Sequence, residues 1–237
     1  MGWRATWIDA GLGCLAPDPC CACDRTAGTA AGWCDDCFAS LPWQGSDRCG
    51  FCLLPLAGGV CASCRREPWD TARVAVEYGT PVPAMVGRWK FRPDAVLSRS
   101  LAAVVEEGIA RDPALGRIDL VTCVPQPAAA WGRRGFSPAL DLARVVARAT
   151  RAPLGHPLRR TRRAPPQVGL TARERDRNVR RLFRVPPWRR HAIGGRSVVL
   201  VDDVLTTGST VRACARALRA AGAARVDLVA LARAHHA

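Results

Sequence analysis

Two sets of residues in this chain have the types and the spacing to do chemistry. The first is eight cysteines in four CxxC pairs: Cys20/Cys23, Cys34/Cys37, Cys49/Cys52 and Cys61/Cys64. A CxxC turn offers two thiolates to one ion, and two such turns complete the tetrahedral four-sulfur site that zinc takes. A lone CxxC would suit a redox pair equally well. A redox pair needs two cysteines beside a helix N-terminus, however, not eight between residues 20 and 64. The simplest arrangement is sequential, with Cys20, Cys23, Cys34 and Cys37 on one Zn²⁺ and Cys49, Cys52, Cys61 and Cys64 on a second. The spacing leaves a crossed pairing open. Four thiolates leave no position for water, so both sites are expected to be structural. Cys14 and Cys21 are spare. Cys123 and Cys214 fall on apolar faces and read as small core residues.

The second set is VVLVDDVLTTGST, residues 198–210. An apolar strand delivers Asp202 and Asp203 to its carboxyl end. Thr206, Thr207, Gly208, Ser209 and Thr210 then open a helix. Backbone amides and small hydroxyls at a helix N-terminus bind anions, and Gly208 lets the backbone approach closely. There is no GxxxxGK[ST], which excludes a nucleotide P-loop. Carboxylates for vicinal hydroxyls beside amides for a phosphate suit a ribose 5-phosphate. The plainer alternative is a strand–turn–helix whose polar residues only cap the helix.

The elements around these residues alternate between strand and helix after about residue 68. Residues 71–78 (TARVAVEY) alternate apolar and polar like a strand, and 119–124 (DLVTCV) read as a strand buried on both faces. Helices are expected at 82–91 and 94–111. Another follows Ser137-Pro138, which supplies an N-cap and a first helical proline. A helix at 209–221, capped by Gly222, and a strand at 225–231 close the chain. Residues 153–190 are rich in Pro and Arg and without period, and much of this stretch reads as a mobile loop. The alternation predicts an α/β fold with a doubly wound, mostly parallel sheet. Ligands of such sheets lie beyond the carboxyl ends of the strands. The division expected is a Cys-rich zinc-ribbon-like module, residues 1–68, and an α/β domain, residues 69–237.

Composition fits that plan. The 237 residues are 49% hydrophobic and 23% charged, ordinary for a globular chain and wrong for a disordered one. No stretch approaches the roughly 20 apolar residues of a membrane span. Asp9 interrupts what would be the apolar region of a leader, and no small-residue cleavage site follows, so a signal peptide is not expected. A cytoplasmic location, with cysteines on metal rather than in disulfides, follows from that reading. Net charge is +15, and Lys90 is the only lysine among 35 basic residues. Such an excess of base favours polyanionic partners, nucleic acid or phosphorylated ligands. Residues 159–190 alone hold twelve arginines against Glu174 and Asp176.

Residues 198–210 closely resemble the phosphoribosyl-diphosphate (PRPP) signature of type I phosphoribosyltransferases. The resemblance then extends over the chain to the ComF (competence protein F) family of amidophosphoribosyltransferase-like proteins, which join a Cys-rich zinc module to a phosphoribosyltransferase-type domain. It is carried by the CxxC pairs, Leu41-Pro42, Lys90-Phe91, Val124-Pro125, Arg133-Arg134-Gly135-Phe136, the spaced Gln167, Leu170, Arg175, Asn178 and Phe183, and the segment from Asp202 to Thr210. Members usually have Pro-Val-Pro where Pro125-Gln126-Pro127 stands, and Asn-Gln where Ser137-Pro138 stands.

The resemblance implies that Asp202 and Asp203 hold the ribose hydroxyls and that Thr206, Thr207, Gly208, Ser209 and Thr210 hold the 5-phosphate. It places Lys90, Pro125, Arg133, Arg134, Arg163 and Arg175 near the pyrophosphate or in loops over it, with residues 160–178 as a flexible hood. It implies Mg²⁺ bridging pyrophosphate and ribose. It also implies a role beside PRPP binding in DNA uptake or the handling of single-stranded DNA. The alternative is an active phosphoribosyltransferase, with a nucleotide or amine acceptor, working in metabolism without DNA. No residue identifies a catalytic nucleophile.

Overall fold

Four strands form one parallel sheet in the order β1-β6-β5-β2. They are β1 (Thr71–Glu77), β2 (Leu120–Cys123), β5 (Ser197–Leu205) and β6 (Arg225–Arg233). In this computed structural model the residues described are 19–23, 25–28, 31–45, 48–49, 53, 61, 67–91, 94–111, 115–127, 135–161 and 182–234. The helices are α1 (Asp35–Ala39), α2 (Val82–Phe91), α3 (Ala95–Arg111), α4 (Pro138–Thr150) and α5 (Ser209–Ala220). A two-stranded antiparallel ribbon, β3 (Arg159–Arg160) with β4 (Phe183–Arg184), lies apart from the main sheet. A 3-10 turn spans Pro187–Ala192.

Parallel strands need crossover helices, and here these cover both faces of the sheet. Val199, Val201, Val229 and Leu231 face α2, α3 and α4 in one apolar cluster. Val198, Leu200, Leu228 and Ala230 face α5 in the other. The runs VVLV and LVAL are continuous because alternate residues enter opposite layers, each of them apolar.

Helix α4 begins as its sequence dictates: Ser137 caps it, its hydroxyl accepting from the Leu140 amide at 3.3 Å, and Pro138 fills the first turn. Strand β5 runs further than the apolar run Val198–Val201 suggests. Strand β6 is nine residues long and keeps offering partners, pairing Asp202 with Ala230 and Leu205 with Arg233. The two acids are therefore within the strand and not at its end. The stretch 153–190 also holds more order than its composition suggests. Leu154 bridges to Val121 beside β2, and the ribbon and the 3-10 turn occupy its described parts. Short elements held by long-range pairing leave no period to detect.

The described part of the N-terminal segment shares the main core. Trp33 is fully buried against α3 and donates its indole N–H to the Ser100 carbonyl at 2.9 Å. Gly32 precedes it at φ +79°, where a Cβ would stand 2.8 Å from Ser100 Oγ and from Val96 Cγ1. Only glycine fits both the backbone and the space. Leu41 is buried in the same cluster, and Gln44 and Glu77 exchange backbone bonds with Ala75 and Pro42 along β1. Trp33→Ala removes this plug together with its hydrogen bond. It is expected to destabilise the whole sheet domain by about 3–5 kcal/mol, read as a lower urea midpoint with one cooperative transition.

Candidate functional site

Strand β2 ends at Cys123, the partner of Val201. From Asp202 onward β5 has a strand neighbour only on the β6 side, among the described residues. The two acids leave opposite faces of this part of β5, because adjacent side chains of a strand alternate. Asp203 lies on the side of Val199 and Val201, where α2 delivers Lys90. The Nζ–Oδ2 distance is 2.7 Å, with 28% and 13% of the two side chains exposed. Asp202 lies on the α5 side and is half-buried. Burial, then the Asp203 carboxylate, raises its carboxyl well above the usual carboxylate range. The two carboxyls thus differ: Asp203 is paired with a lysine, and Asp202 is half-buried on the other face of the strand.

The buried cysteines next to Asp202 are core residues, as their apolar spacing predicts. Cys123 is pushed up to about 11 by burial and by Asp202. Cys214 is raised further by burial, with Asp202 and Cys123 adding to it. Both are inert as nucleophiles in that state.

Beyond Leu205 the chain turns through Thr206 and Thr207 into Gly208, which caps α5 at φ 71° without a side-chain cap. Thr207 Oγ1 meets Ser209 Oγ at 3.1 Å and accepts from the Ser209 amide at 3.4 Å. The amides of Thr210 and Val211 have no intrahelical partner, as in any first helical turn. With the dipole of a twelve-residue helix behind them, they are free to donate to an anion. Arg212, one turn in, is clamped at 2.7 Å by both oxygens of Glu67, which ties this end of α5 to the entry of β1. Sequence inspection alone does not pick out that clamp.

On the β2 side lies a cavity of about 730 Å³. Its lining includes Pro125, Gln126, His156, Arg159 and Arg160. Two of the polar atoms in its wall, Thr122 Oγ1 and Gln126 Oε1, are buried without a hydrogen-bond partner. Buried polar atoms left unpaired are costly, and a ligand in the cavity would pair them. The fold thus places Pro125 at the cavity and Lys90 on Asp203. Arg133, Arg134, Arg163 and Arg175 lie outside the described residues.

The cysteines confirm the first pairing. The sulfurs of Cys20, Cys23, Cys34 and Cys37 all lie within 4.8 Å of one another. Cys23 and Cys34 stand 3.8 Å apart, which matches the edge of a tetrahedron with Zn–S bonds of about 2.3 Å. Four thiols at this spacing fit zinc. Cys49 is buried and Cys61 half-buried. Cys52 and Cys64 lie outside the described residues, as does the spare Cys14.

Arg25, not singled out by the spacing, bridges the two pairs. Its Nε donates to Cys23 Sγ at 3.4 Å and its Nη2 to Cys34 Sγ at 3.8 Å, while Nη1 holds Asp36 at 3.1 Å. The Arg25 side chain and its amide lower the Cys23 thiol to about 6. The bond shared with Cys23, then burial, lifts Cys37 to about 12. Burial and neighbouring Ser100 act in opposite directions on the spare Cys21, and burial wins, at about 11.

With this geometry in hand, comparison with known proteins is decisive. Residues 132–237 match the phosphoribosyl transferase domain family. Over 219 residues the chain is 30% identical to the DNA utilization protein YhgH of Escherichia coli O157:H7, covering 90% of this chain and 89% of that one. The chain belongs to the ComF family. It is also 28% identical over 207 residues to competence protein F of Haemophilus influenzae, covering 85% of each. Among solved structures, the glutamine PRPP amidotransferase from B. subtilis is 21% identical with a TM-score of 0.40, over 68% of this chain and about a third, 32%, of that one. Both ComF features, four clustered thiols and a strand–acid–acid–cradle segment, are therefore present in one folded chain.

The state of Asp202 generates a prediction. A carboxyl raised on folding holds its proton more tightly in the native state. Its stabilising effect is complete below the unfolded value, near pH 4, and is lost as pH rises toward the folded value. Asp202→Asn is therefore expected to raise the melting temperature at pH 7 and to make no difference at about pH 4. Thermal unfolding of both proteins, without ligand, across that range checks it.

Proposed function

We propose that this ComF-family protein binds PRPP with Mg²⁺ at the carboxyl ends of β5 and β2, and that it serves the handling of single-stranded DNA in the cytoplasm. The observation that carries the first part is the arrangement of Asp202, Asp203 and the Gly208 cradle on one continuous strand–turn–helix. The amides and hydroxyls of residues 206–210 would take the 5-phosphate. Asp203, oriented by Lys90, and Asp202 behind it would take the ribose hydroxyls. Pro125 and its loop, with Arg159 and Arg160 across the cavity, would face the pyrophosphate end.

The site's donors for a metal are carboxyl and hydroxyl oxygens, the set that suits Mg²⁺. Asp202 and Asp203 are the residues that would hold it, together with oxygens of PRPP. When bound, Mg²⁺ supplies charge stabilisation to the pyrophosphate. The chain's own part is to position the ribose, to orient Asp203 through its pair with Lys90, and to offer fixed amides to the phosphate.

The second part rests on charge and on kinship. The names of the two relatives speak of DNA utilization and of competence. The twelve arginines between residues 159 and 190 supply a matching excess of positive charge. No helix among the described residues is long and apolar enough to cross a membrane. We further propose residues 1–68 as a zinc module with two structural ions, the second held by Cys49, Cys52, Cys61 and Cys64.

Calorimetry with PRPP and Mg²⁺ tests the ligand. The unmutated protein is expected to bind, and Asp203→Asn to bind about ten- to a hundredfold more weakly, the loss of one charge-assisted hydrogen bond. Absence of PRPP binding by the unmutated protein would falsify the assignment. Metal analysis of freshly purified, reduced protein tests the module. Two zinc ions per chain are expected, and iron, or no metal, contradicts it.

A further inference from the structure

The C-terminal half of α5 and the segment 183–190 enclose a second concave surface, about 300 Å³ in volume. Arg184, Arg190 and Arg216 line it among alanines and apolar side chains, and no acid does so among the described residues. None of the three guanidiniums has a carboxylate partner there. Arg216 Nη1 is buried and bonded to nothing. A buried charged donor without an acceptor is among the costliest polar arrangements in a protein.

A second cost lies beside it. Arg184 sits directly opposite Arg159 across the β3–β4 ribbon, and like charges at such a position weaken the pair. Positive charge gathers around nearby His156, whose imidazole is held below its usual value by burial and then by Arg144, Arg159 and Arg189. An anion on this surface would pair Arg216 and offset the charge of Arg184.

Trp188 stands two residues before Arg190 on the same 3-10 turn, and it is 69% exposed. Tryptophans are normally largely buried. This one is held out on a fixed base. The Arg189 and Ile193 amides donate to Pro186 and Arg190 at 2.9 Å, the Arg189 side chain bonds the His156 carbonyl, and Ile193 is fully buried. A presented indole on the turn that carries Arg190, one of three guanidiniums lining the groove, matches a polyanion with accessible aromatic faces. Free phosphate would use the arginines and ignore the indole, and duplex DNA hides its base faces in the stack. Single strands use both.

We infer that this groove binds the backbone of single-stranded DNA, with phosphates on Arg184, Arg190 and Arg216 and a base stacked on Trp188. The inference rests on the DNA reading above and names its surface. That surface is separate from the proposed PRPP site, since none of these four residues lines it.

The test is anisotropy of a labelled thymidine oligomer, titrated with the zinc-loaded full chain at several salt concentrations. Trp188→Ala is expected to weaken binding about tenfold or more, with the salt slope and PRPP affinity unchanged. Replacing Arg184, Arg190 and Arg216 together by Ala is expected to make the slope shallower by about two units. If that triple variant fails to fold, Trp188→Ala and Arg190→Ala, both at exposed positions, carry the test. Unmutated protein binding the oligomer while the variants keep its affinity and slope overturns the groove and leaves the DNA reading standing. A duplex of equal length binding as tightly also overturns it. No binding by the unmutated protein removes the DNA reading and the groove together.

Discussion

Strand β5 is nine residues long and its neighbour β2 only four. That mismatch is the constraint on which the site depends. Where β2 stops, β5 continues against β6 alone among the described residues, so its last residues have one open edge there while staying anchored by the other. Had β2 kept pace, Asp202 and Asp203 would be covered by a further strand. Had β6 been shorter, they would sit on a loose loop. The anchored, half-covered edge gives each acid a different environment, and the two roles follow from that difference. Asp203 is paired with Lys90 and oriented by it. Asp202 is pressed toward its neutral form by burial and by its neighbour.

The same geometry divides the molecule by charge. Two adjacent carboxyls mark the acidic part of the site. Positive charge surrounds it in layers: the helix N-terminus of α5, the arginines of the cavity wall, and the groove on the far half of α5. A phosphorylated ligand enters such a field readily, because its anionic ends meet amides and guanidiniums while its hydroxyls meet the acids. The four-cysteine cluster lies in the segment that carries Trp33 and Leu41 into the core over α3 and β1, so a metal held there would be coupled to sheet stability through packing.

Much of this was legible in the sequence, and the rest was hidden for physical reasons. The first four cysteines cluster in the simplest of the arrangements that their spacing allows. The Ser137-Pro138 helix start and the strand–turn–helix from Val198 are local, and local chemistry can be read locally. Burial of Asp202 could not be read that way, since it depends on how far β2 and β6 extend. The Lys90–Asp203 pair joins elements far apart in the chain, and only the topology brings α2 over β5. Thr122 looked like an ordinary strand residue until a cavity opened beside it. Arg25 lies between cysteines whose spacing drew attention to sulfur alone. The ribbon and 3-10 turn within 153–190 have no period, so composition suggested a loop where long-range contacts impose order.

The account's central claim is that one strand end reads a phosphoribosyl group from both sides. Its most direct test is the position of the ligand in crystals grown with PRPP and Mg²⁺. The account predicts the 5-phosphate against the amides of residues 206–210, the ribose hydroxyls against Asp202 and Asp203, and the pyrophosphate toward Pro125 and the cavity. A ligand bound with its 5-phosphate on Arg184, Arg190 and Arg216, or anywhere that leaves Asp203 on Lys90 and the cradle without phosphate, would contradict it.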